Sequence, residues 1–478
     1  MKTLLIIPDI QGKYFKPGQP HVGIAYLAGA LTQQDGFDVK VVDMRLGINV
    51  ADLLKKIAEY KPSLIGITIT TLNYLKSYKL IYSIKNQFQQ IPVIIGGPHV
   101  TTFATTILQE TKADLAVIGE GEKTIVEVAK IIQQNSINFE RVAGLIWRDP
   151  QTIRINPARK PEACLDTLSF PRYDLSPLGK YIDNKIPILT SRGCPGRCVY
   201  CSVNSLFGRA FRSRSPENVF AEIRFWHEKG FKYFIINDDC FTAAIPRAEE
   251  ICDLIIRHRL KIRWECRNGI RMDRLNHSLA TKMKQAGCCF VAFGLESANQ
   301  ENLNAMRKGL TISQAQEAIG IMKDVGIDFG LFFMIGTPDD SFNNFLDSYN
   351  FAKKSGAQEV RFYNALPYPG TSFFDWVSKH GTFLFPAEEY LNSLDRWDEM
   401  PVFETHAFPK EERIKAFRMG EELVMSAFFR KYFGRFLAPF CWSVYRNKLL
   451  RSVFQKPGEL IWMLLRKRLL RKTVLGKV

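Results

Sequence analysis

At 478 residues, with 46% hydrophobic and 24% charged side chains, the chain is too long for one ordinary domain and has globular, not disordered, composition. Its net charge of +17 is uneven: Arg430–Val478 carries thirteen Lys and Arg against one acid, Glu459, which leaves about +5 for everything before it. No stretch offers the ~20 apolar residues of a membrane span, no signal-peptide pattern opens the chain, and its ten cysteines suit reduced thiols and metal ligands better than a disulfide framework, so a cytoplasmic protein is expected.

Short apolar runs at Thr3–Ile7, Asp38–Val42, Ser63–Thr68, Pro92–Ile95 and Asp114–Ile118 read as five buried parallel strands. Helix-length segments lie between them at Val22–Leu31, Ala51–Tyr60, Leu75–Phe88 and Thr101–Glu110. This alternation predicts an α/β fold, with a doubly wound, Rossmann-like domain over 1–140 whose ligand lies at the carboxyl ends of its strands. Three loops gather there: Thr68 and Thr70 after the third strand, Gly96, Gly97 and His99 after the fourth, and Gly119, Glu120 and Gly121 after the fifth. Paired glycines let a backbone approach a flat ligand, and hydroxyls can bond its amides; plain turns are the alternative.

Residues 141–185 read as a hairpin, Gly144–Arg148 with Thr152–Asn156, followed by a proline-rich linker. A second βα alternation occupies 186–370, with strands at Ile186–Ser191, Tyr233–Asn237, Ile262–Cys266, Phe290–Leu295, Asp328–Ile335 and Glu359–Asn364. Six such strands predict a partial (β/α) barrel with its site at the carboxyl-terminal face. Residues 371–478 form a helical region ending in the basic tail.

The loop after the first barrel strand reads Ser191-Arg-Gly-Cys194-Pro-Gly-Arg-Cys198-Val-Tyr-Cys201. Three thiolates at this spacing can bind one face of a four-iron cluster and leave one iron open to an amino acid's amine and carboxylate. Structural zinc would need a fourth ligand, for which only distant His227 and Cys240 present themselves.

On these residues the sequence resembles the radical S-adenosylmethionine (SAM) superfamily, in which a C-x3-C-x2-C loop with an aromatic before its last cysteine, here Tyr200, follows the first strand. The resemblance implies that Asn237, Asp238 and Asp239 meet the methionine moiety of SAM, Glu296 and Ser297 its ribose, and the Gly336–Pro338 backbone its adenine. An amino-terminal doubly wound domain with Val22-Gly23-Ile-Ala-Tyr26, Gly96-Gly97-Pro98-His99 and Gly119-Glu-Gly-Glu122 resembles the cobalamin-binding class of that superfamily. The D-x-H-x-x-G loop of many corrinoid proteins is absent, since Asp9 has no histidine two residues on; His21 and His99 are left as cobalt ligands or as bland loop and helix-start residues.

The implied cofactors are a [4Fe-4S] cluster held by Cys194, Cys198 and Cys201, SAM, and cobalamin. The implied partners are an external one-electron donor of flavodoxin or ferredoxin type and a small-molecule or lipid-like substrate. Methylation of an unactivated carbon is the expected activity; oxidative cyclisation, as in the anaerobic porphyrin-ester cyclases, and a corrinoid carrier or sensor without catalysis are the alternatives. The methylthiotransferase branch, which needs a second set of amino-terminal cysteines, is excluded because none precedes Cys164. The tail over 430–478 is a candidate for peripheral contact with an anionic inner-membrane surface, with a helical cap on the barrel as the alternative; a nucleic-acid partner is not expected without a binding module.

Overall fold

The computed structural model describes residues 1–9, 17–149, 152–393 and 399–426. The chain divides into two compact units, Met1–Ala416 and Phe417–Val478. Of the second, 417–426 are helical, and the expected basic tail lies outside the described residues.

The first sheet is built from β1 (Lys2–Ile7), β2 (Asp38–Asp43), β3 (Leu64–Thr68), β4 (Val93–Gly96) and β5 (Leu115–Val117), all parallel, in the order β2-β1-β3-β4-β5. Alternate residues of β1 enter opposite cores: Leu4 and Ile6 pack with Leu53, Ile57 and Ile81, whereas Leu5 and Ile7 pack with Ile24, Leu31 and Val128. Burial on both faces is why these strands read as unbroken apolar runs. The covering helices include α1 (Val22–Thr32), α2 (Val50–Tyr60) and α3 (Tyr74–Gln87). The expected hairpin joins the same sheet, with β6 (Leu145–Arg148) antiparallel to β5 and β7 (Ile153–Ile155) beyond it.

Two helical assignments differ from expectation. The segment expected as one helix over Thr101–Glu110 is two short pieces, α4 (Pro98–Thr102) and α5 (Ile107–Glu110). Thr101 and Thr102 donate their hydroxyls back to the Gly97 and Pro98 carbonyls, a local competition that favours short turns over a long helix. A helix not anticipated, α6 (Glu122–Gln133), follows β5 and buries Ile125, Val128 and Ala129.

The linker is fastened to the first sheet, not loose: the Tyr181 hydroxyl donates to buried Asp43, which also pairs with Arg45. The second sheet comprises β8 (Ile186–Ile188), β11 (Tyr233–Ile236), β12 (Arg263–Cys266), β13 (Cys288–Glu296), β14 (Asp328–Ile335) and β15 (Glu359–Asn364), parallel throughout in the order β15-β14-β13-β12-β11-β8. Helices α8 (Pro216–Glu228), α9 (Ile245–Arg257), α10 (His277–Gln285), α12 (Ile312–Val325) and α13 (Phe342–Ser355) connect successive strands. β8 and β15 do not pair, so the barrel is partial and open. Between β8 and β11 lie β9 (Ser191–Arg192), α7 (Val203–Phe207) and β10 (Arg212–Ser213), with β9 antiparallel to β10. No described helix is long and apolar enough to cross a membrane.

Candidate functional site

A cavity of about 340 Å³ opens at the carboxyl ends of the first sheet, a volume within the usual range of cofactor sites. Its deep wall is apolar, formed by Leu5, Ile67, Ile94, Ile95, Val117 and Ile125. Its mouth is formed by Thr68, Thr70, Gly96, Gly97, Thr101, Gly119, Glu120 and Gly121, and its far side by Leu189, Arg192, Leu206 and Asp239 from the segments around the cysteine loop. The space depends on missing side chains. A Cβ on Gly66 would meet Leu5 at 2.7 Å; one on Gly97, which has φ +108, would meet the Ile69 carbonyl at 2.8 Å. Thr101 ties two mouth loops together, accepting the Gly119 N–H at 3.0 Å and donating to Gly97. An apolar slot leading to glycines and hydroxyls suits a large macrocycle with peripheral amides, so the residues fit a corrin.

Two candidate cobalt ligands are used otherwise. His21 lines the cavity, but its Nδ1 accepts the Ile24 N–H as the cap of α1, so the neutral ring carries its proton on Nε2. Burial, then Arg45, hold its pKa down to about 4. His99, expected at the cobalamin site, is not among the lining residues. It is buried against Tyr74 and Phe103, with Nε2 2.8 Å from the Tyr78 hydroxyl and its pKa lowered by burial to about 4.

Glu120 and Glu122 are held by arginines of the β9–β10 pair. Arg192 donates to Glu120 at 3.1 Å and Glu122 at 2.5 Å, while Arg212, its partner across the pair, donates to Glu120 at 2.7 Å. Burial would raise Glu120, but Arg212 and Arg192 outweigh it and hold the carboxyl below its usual range. These ion pairs join the cavity mouth to the residue two positions before Cys194.

The cysteine loop is shaped by buried carboxylates. Asp238, expected at the methionine moiety, is 1% exposed and accepts from the Thr190 N–H and hydroxyl and the Ser191 hydroxyl, so it fixes the loop's base. Asp239 accepts the Gly193 N–H at 2.9 Å and lines the same cavity. The Asn237 backbone N–H donates to the Ile188 carbonyl at 2.9 Å, at the end of β11.

Cys194, Cys198 and Cys201 are all half-buried; a Cβ on Gly196 would lie 3.3 Å from the Cys194 sulfur and 3.9 Å from that of Cys198, so both face one point. The buried thiol of Cys240 hydrogen-bonds Cys194 and, with Arg271 nearby, draws Cys194 down to about 6, the direction a thiolate ligand needs. Burial pushes Cys201 up to about 11. Among the described residues no three His, Cys, Asp or Glu side chains converge on one metal ion. Thiolates that each bind a different iron need no such common centre.

Beside the loop stand three mutually bonded side chains. Lys308 Nζ donates to Tyr200 Oη and Glu296 Oε1, each at 3.0 Å, and Tyr200 donates to Glu296 at 3.1 Å. Lys308 is a site residue the motifs did not reveal; Glu296, Cys198 and Glu296's hydrogen bond outweigh its burial and raise its pKa. Glu296 itself adopts φ +69 at the end of β13, and Gly294 leaves the space its carboxylate occupies. Ser297, expected at the ribose, is 3% exposed and accepts the Asn299 N–H, capping the turn into α11 (Gln300–Ala305).

The Gly336–Pro338 turn is backed by another unforeseen residue. Arg413 is fully buried, donates to the Ile335 and Phe403 carbonyls, and occupies the space where a Gly336 side chain would go. Burial lowers its pKa to about 10. The Pro338 carbonyl accepts from buried Asn302 at 3.0 Å, and the Gly336 N–H donates to Asp340, which burial raises to about 6. The turn is thus pinned from both sides.

Residues 15–129 match the B12 binding domain family and residues 188–352 the Radical SAM superfamily. The chain is 30% identical, over 96% of each chain, to the uncharacterized methyltransferase PH0819 of Pyrococcus horikoshii. It is 26% identical to the anaerobic magnesium-protoporphyrin IX monomethyl ester cyclase of Rubrivivax gelatinosus, over 91% of this chain and 84% of that one. Its fold is similar to the radical SAM methyltransferase TsrM of Kitasatospora setae, solved with cobalamin and a [4Fe-4S] cluster (TM-score 0.66, 19% identity, 79% and 76% of the chains). It is also similar to the cobalamin-dependent radical enzyme OxsB (TM-score 0.70, 15% identity, 99% and 72%). With two family matches in this order and a full-length relative, the chain belongs to the cobalamin-dependent radical S-adenosylmethionine enzymes, which use a [4Fe-4S] cluster, SAM and cobalamin.

Proposed function

We propose that this enzyme transfers a methyl group from cobalamin to an unactivated carbon of a small-molecule or lipid-like substrate. The observation that carries the reading is the shared wall: Leu189, Arg192, Leu206 and Asp239, all close in sequence or space to the cysteine loop, also bound the corrin cavity. When bound, the reduced cluster and SAM supply a 5′-deoxyadenosyl radical that takes hydrogen from carbon, and methylcobalamin supplies the methyl group.

The chain's own part is positional. Cys194, Cys198 and Cys201 hold the cluster; Tyr200, Glu296 and Lys308 offer a bonded polar face beside it; the pinned Gly336–Pro338 turn presents backbone to adenine. Thr68, Thr70, Gly96, Gly97, Gly119 and Gly121 receive the corrin. Glu120 and Glu122 serve this arrangement through Arg192 and Arg212. Neither histidine is offered to cobalt, since His21 carries a proton on the ring nitrogen left over from its capping bond and His99 lies off the cavity. The full-length relative described as a methyltransferase supports methyl transfer over cyclisation. Oxidative cyclisation without methyl transfer is the second reading, favoured by the cyclase relative that aligns over 91% of the chain.

The test is anaerobic turnover of extracts from cells lacking the protein, with SAM carrying a trideuteromethyl group. A metabolite gaining that group supports methyl transfer. An oxidised or cyclised product without label, formed together with 5′-deoxyadenosine, overturns it in favour of the second reading.

A further inference from the structure

The two faces of the second sheet are finished differently. One is covered by helices: Phe333 stacks on Phe362 at 5.0 Å, Phe345 of α13 closes over Phe362 at 5.6 Å, and Trp264 donates to the Ala286 carbonyl after α10. Phe293, Phe329, Leu331 and Phe333 on that face are at most 1% exposed. Alternate residues face the other way. There Gly294, Phe332 and Arg361 stand in register across β13, β14 and β15, with Met334 beside Tyr363 further along. Burial on this face is incomplete: Phe332 and Met334 are half-buried and Tyr363 is 50% exposed. The Phe332 and Tyr363 rings meet edge to face with centroids 6.1 Å apart. The face leads to the cysteine loop, because a Cβ on Gly294 would run into the Glu296 carboxylate and lie 3.6 Å from Lys308 Nζ.

Beside the aromatic pair, charges run in a chain across the same face. Lys185 pairs with Glu265 at 2.7 Å, Arg267 with Glu265 at 3.0 Å and Glu359 at 2.9 Å, and Arg361 with Glu359 at 3.4 Å. Three cations thus meet two carboxylates, and adding Arg263 and Asp328, on this face at the starts of β12 and β14, leaves the sum at +1. The surplus sits at the open end. Exposure rises along the chain from 9% for the Lys185 side chain through 38% for Arg267 to 46% for Arg361. Glu359 is already answered by Arg267, so Arg361 is not needed to neutralise it. Among the described residues Arg361 bonds through Nε alone, and its two terminal nitrogens are left beside Phe332, its register partner.

We propose that this face sets substrate specificity, and that the substrate is a flat, unsaturated molecule carrying an acid group, a carboxylate or a phosphate ester. The flat body lies against Phe332 and Tyr363, since aromatic rings pack best with other planar groups offset or edge-on. The acid group is held by Arg361, whose planar fork matches the paired oxygens of a carboxylate or phosphate. The proposal narrows the substrate class of the preceding reading and rests on that reading for what then happens to the bound molecule.

The experiment is equilibrium dialysis of four probes against the full chain loaded with iron and corrin: 1-naphthoate, 1-naphthyl phosphate, uncharged 1-naphthamide, and octanoate, which has the charge without the ring. Wild type should bind the better naphthyl anion at least about tenfold more tightly than the amide, and which anion that is identifies the acid group. Octanoate should bind several-fold more weakly than 1-naphthoate. R361Q, with iron and corrin content checked as evidence of an intact fold, should lose the preference for the anions. No binding of either anion by wild type, or equal binding of anion and amide, overturns the proposal without any variant. So does a preference that survives in R361Q, or octanoate bound as tightly as 1-naphthoate. In the extract assay above, a neutral or cationic labelled metabolite overturns this substrate class and leaves methyl transfer standing. An unlabelled product there fails methyl transfer alone, because probe binding needs no turnover.

Discussion

Replacing Arg192 by Gln tests whether ion pairs fasten the cavity of the first sheet to the cysteine loop. Arg192 is 11% exposed at its side chain, and Glu120 and Glu122 are 9% and 10% exposed. Glu120 keeps Arg212 after the change, but Glu122 loses its described ion-pair partner and becomes a buried, uncompensated carboxylate. Removing one member of a buried pair costs about 3–5 kcal/mol, and the neighbouring cavity, which admits water, places this case near about 3. That corresponds to roughly 100-fold faster local opening. Hydrogen exchange read on peptides covering 116–124 and 188–196 should show both segments losing protection together. The double variant R192Q/E122Q removes both charges and should recover most of the loss, giving a coupling of about 2 kcal/mol. Exchange in R192Q within twofold of wild type, or a double variant as damaged as the two single changes added, would refute the clamp.

Changing Gly97 to Ala places a Cβ 2.8 Å from the Ile69 carbonyl at φ +108, so cobalamin affinity measured by absorbance titration should fall at least about tenfold while iron content is unchanged. Arg413→Met removes the support under Gly336 and should raise the KM for SAM several-fold more than it lowers kcat; an unchanged KM would detach Arg413 from that turn. His99 has a folded pKa near 4 against about 6.5 unfolded, so its contribution is fully present above pH 6.5 and is lost as pH falls to 4, by up to about 3 kcal/mol. His99→Phe, which keeps the stack on Tyr74, should flatten that stretch of the unfolding-versus-pH curve; an unaltered curve would contradict the assignment.

What the sequence revealed follows the range of the forces involved. The strands were legible because a parallel sheet buried on both faces demands unbroken apolar runs, and Leu4 to Ile7 or Phe329 to Ile335 supply them. The cysteine loop was legible because its ligand spacing is local. The α6 helix carried a visible signal, with Ile125, Val128 and Ala129 at helical spacing, beside a glycine-rich loop that drew the reading toward a ligand turn. The α4–α5 break was hidden because hydroxyl back-bonding from Thr101 and Thr102 does not alter apolar periodicity. Polar side chains at strand ends proved hardest to assign from sequence. Asp238, Asp239, Glu120 and Ser297 all sit at strand ends as expected, yet which way each points is decided by Thr190, Gly193, Arg212 and Asn299, partners that sequence does not declare. Lys308 and Arg413 reach the site only through tertiary packing, the second from 77 residues beyond Gly336.

The most direct test is anaerobic purification with hydroxocobalamin present, followed by joint quantification of iron, sulfide, corrin and reductively formed 5′-deoxyadenosine. About four irons and one corrin per chain are expected, with iron and SAM cleavage abolished and corrin retained when Cys194, Cys198 and Cys201 are changed to Ala. Iron-loaded protein that cleaves SAM but takes up no corrin, or protein that binds no iron at all, would contradict the account.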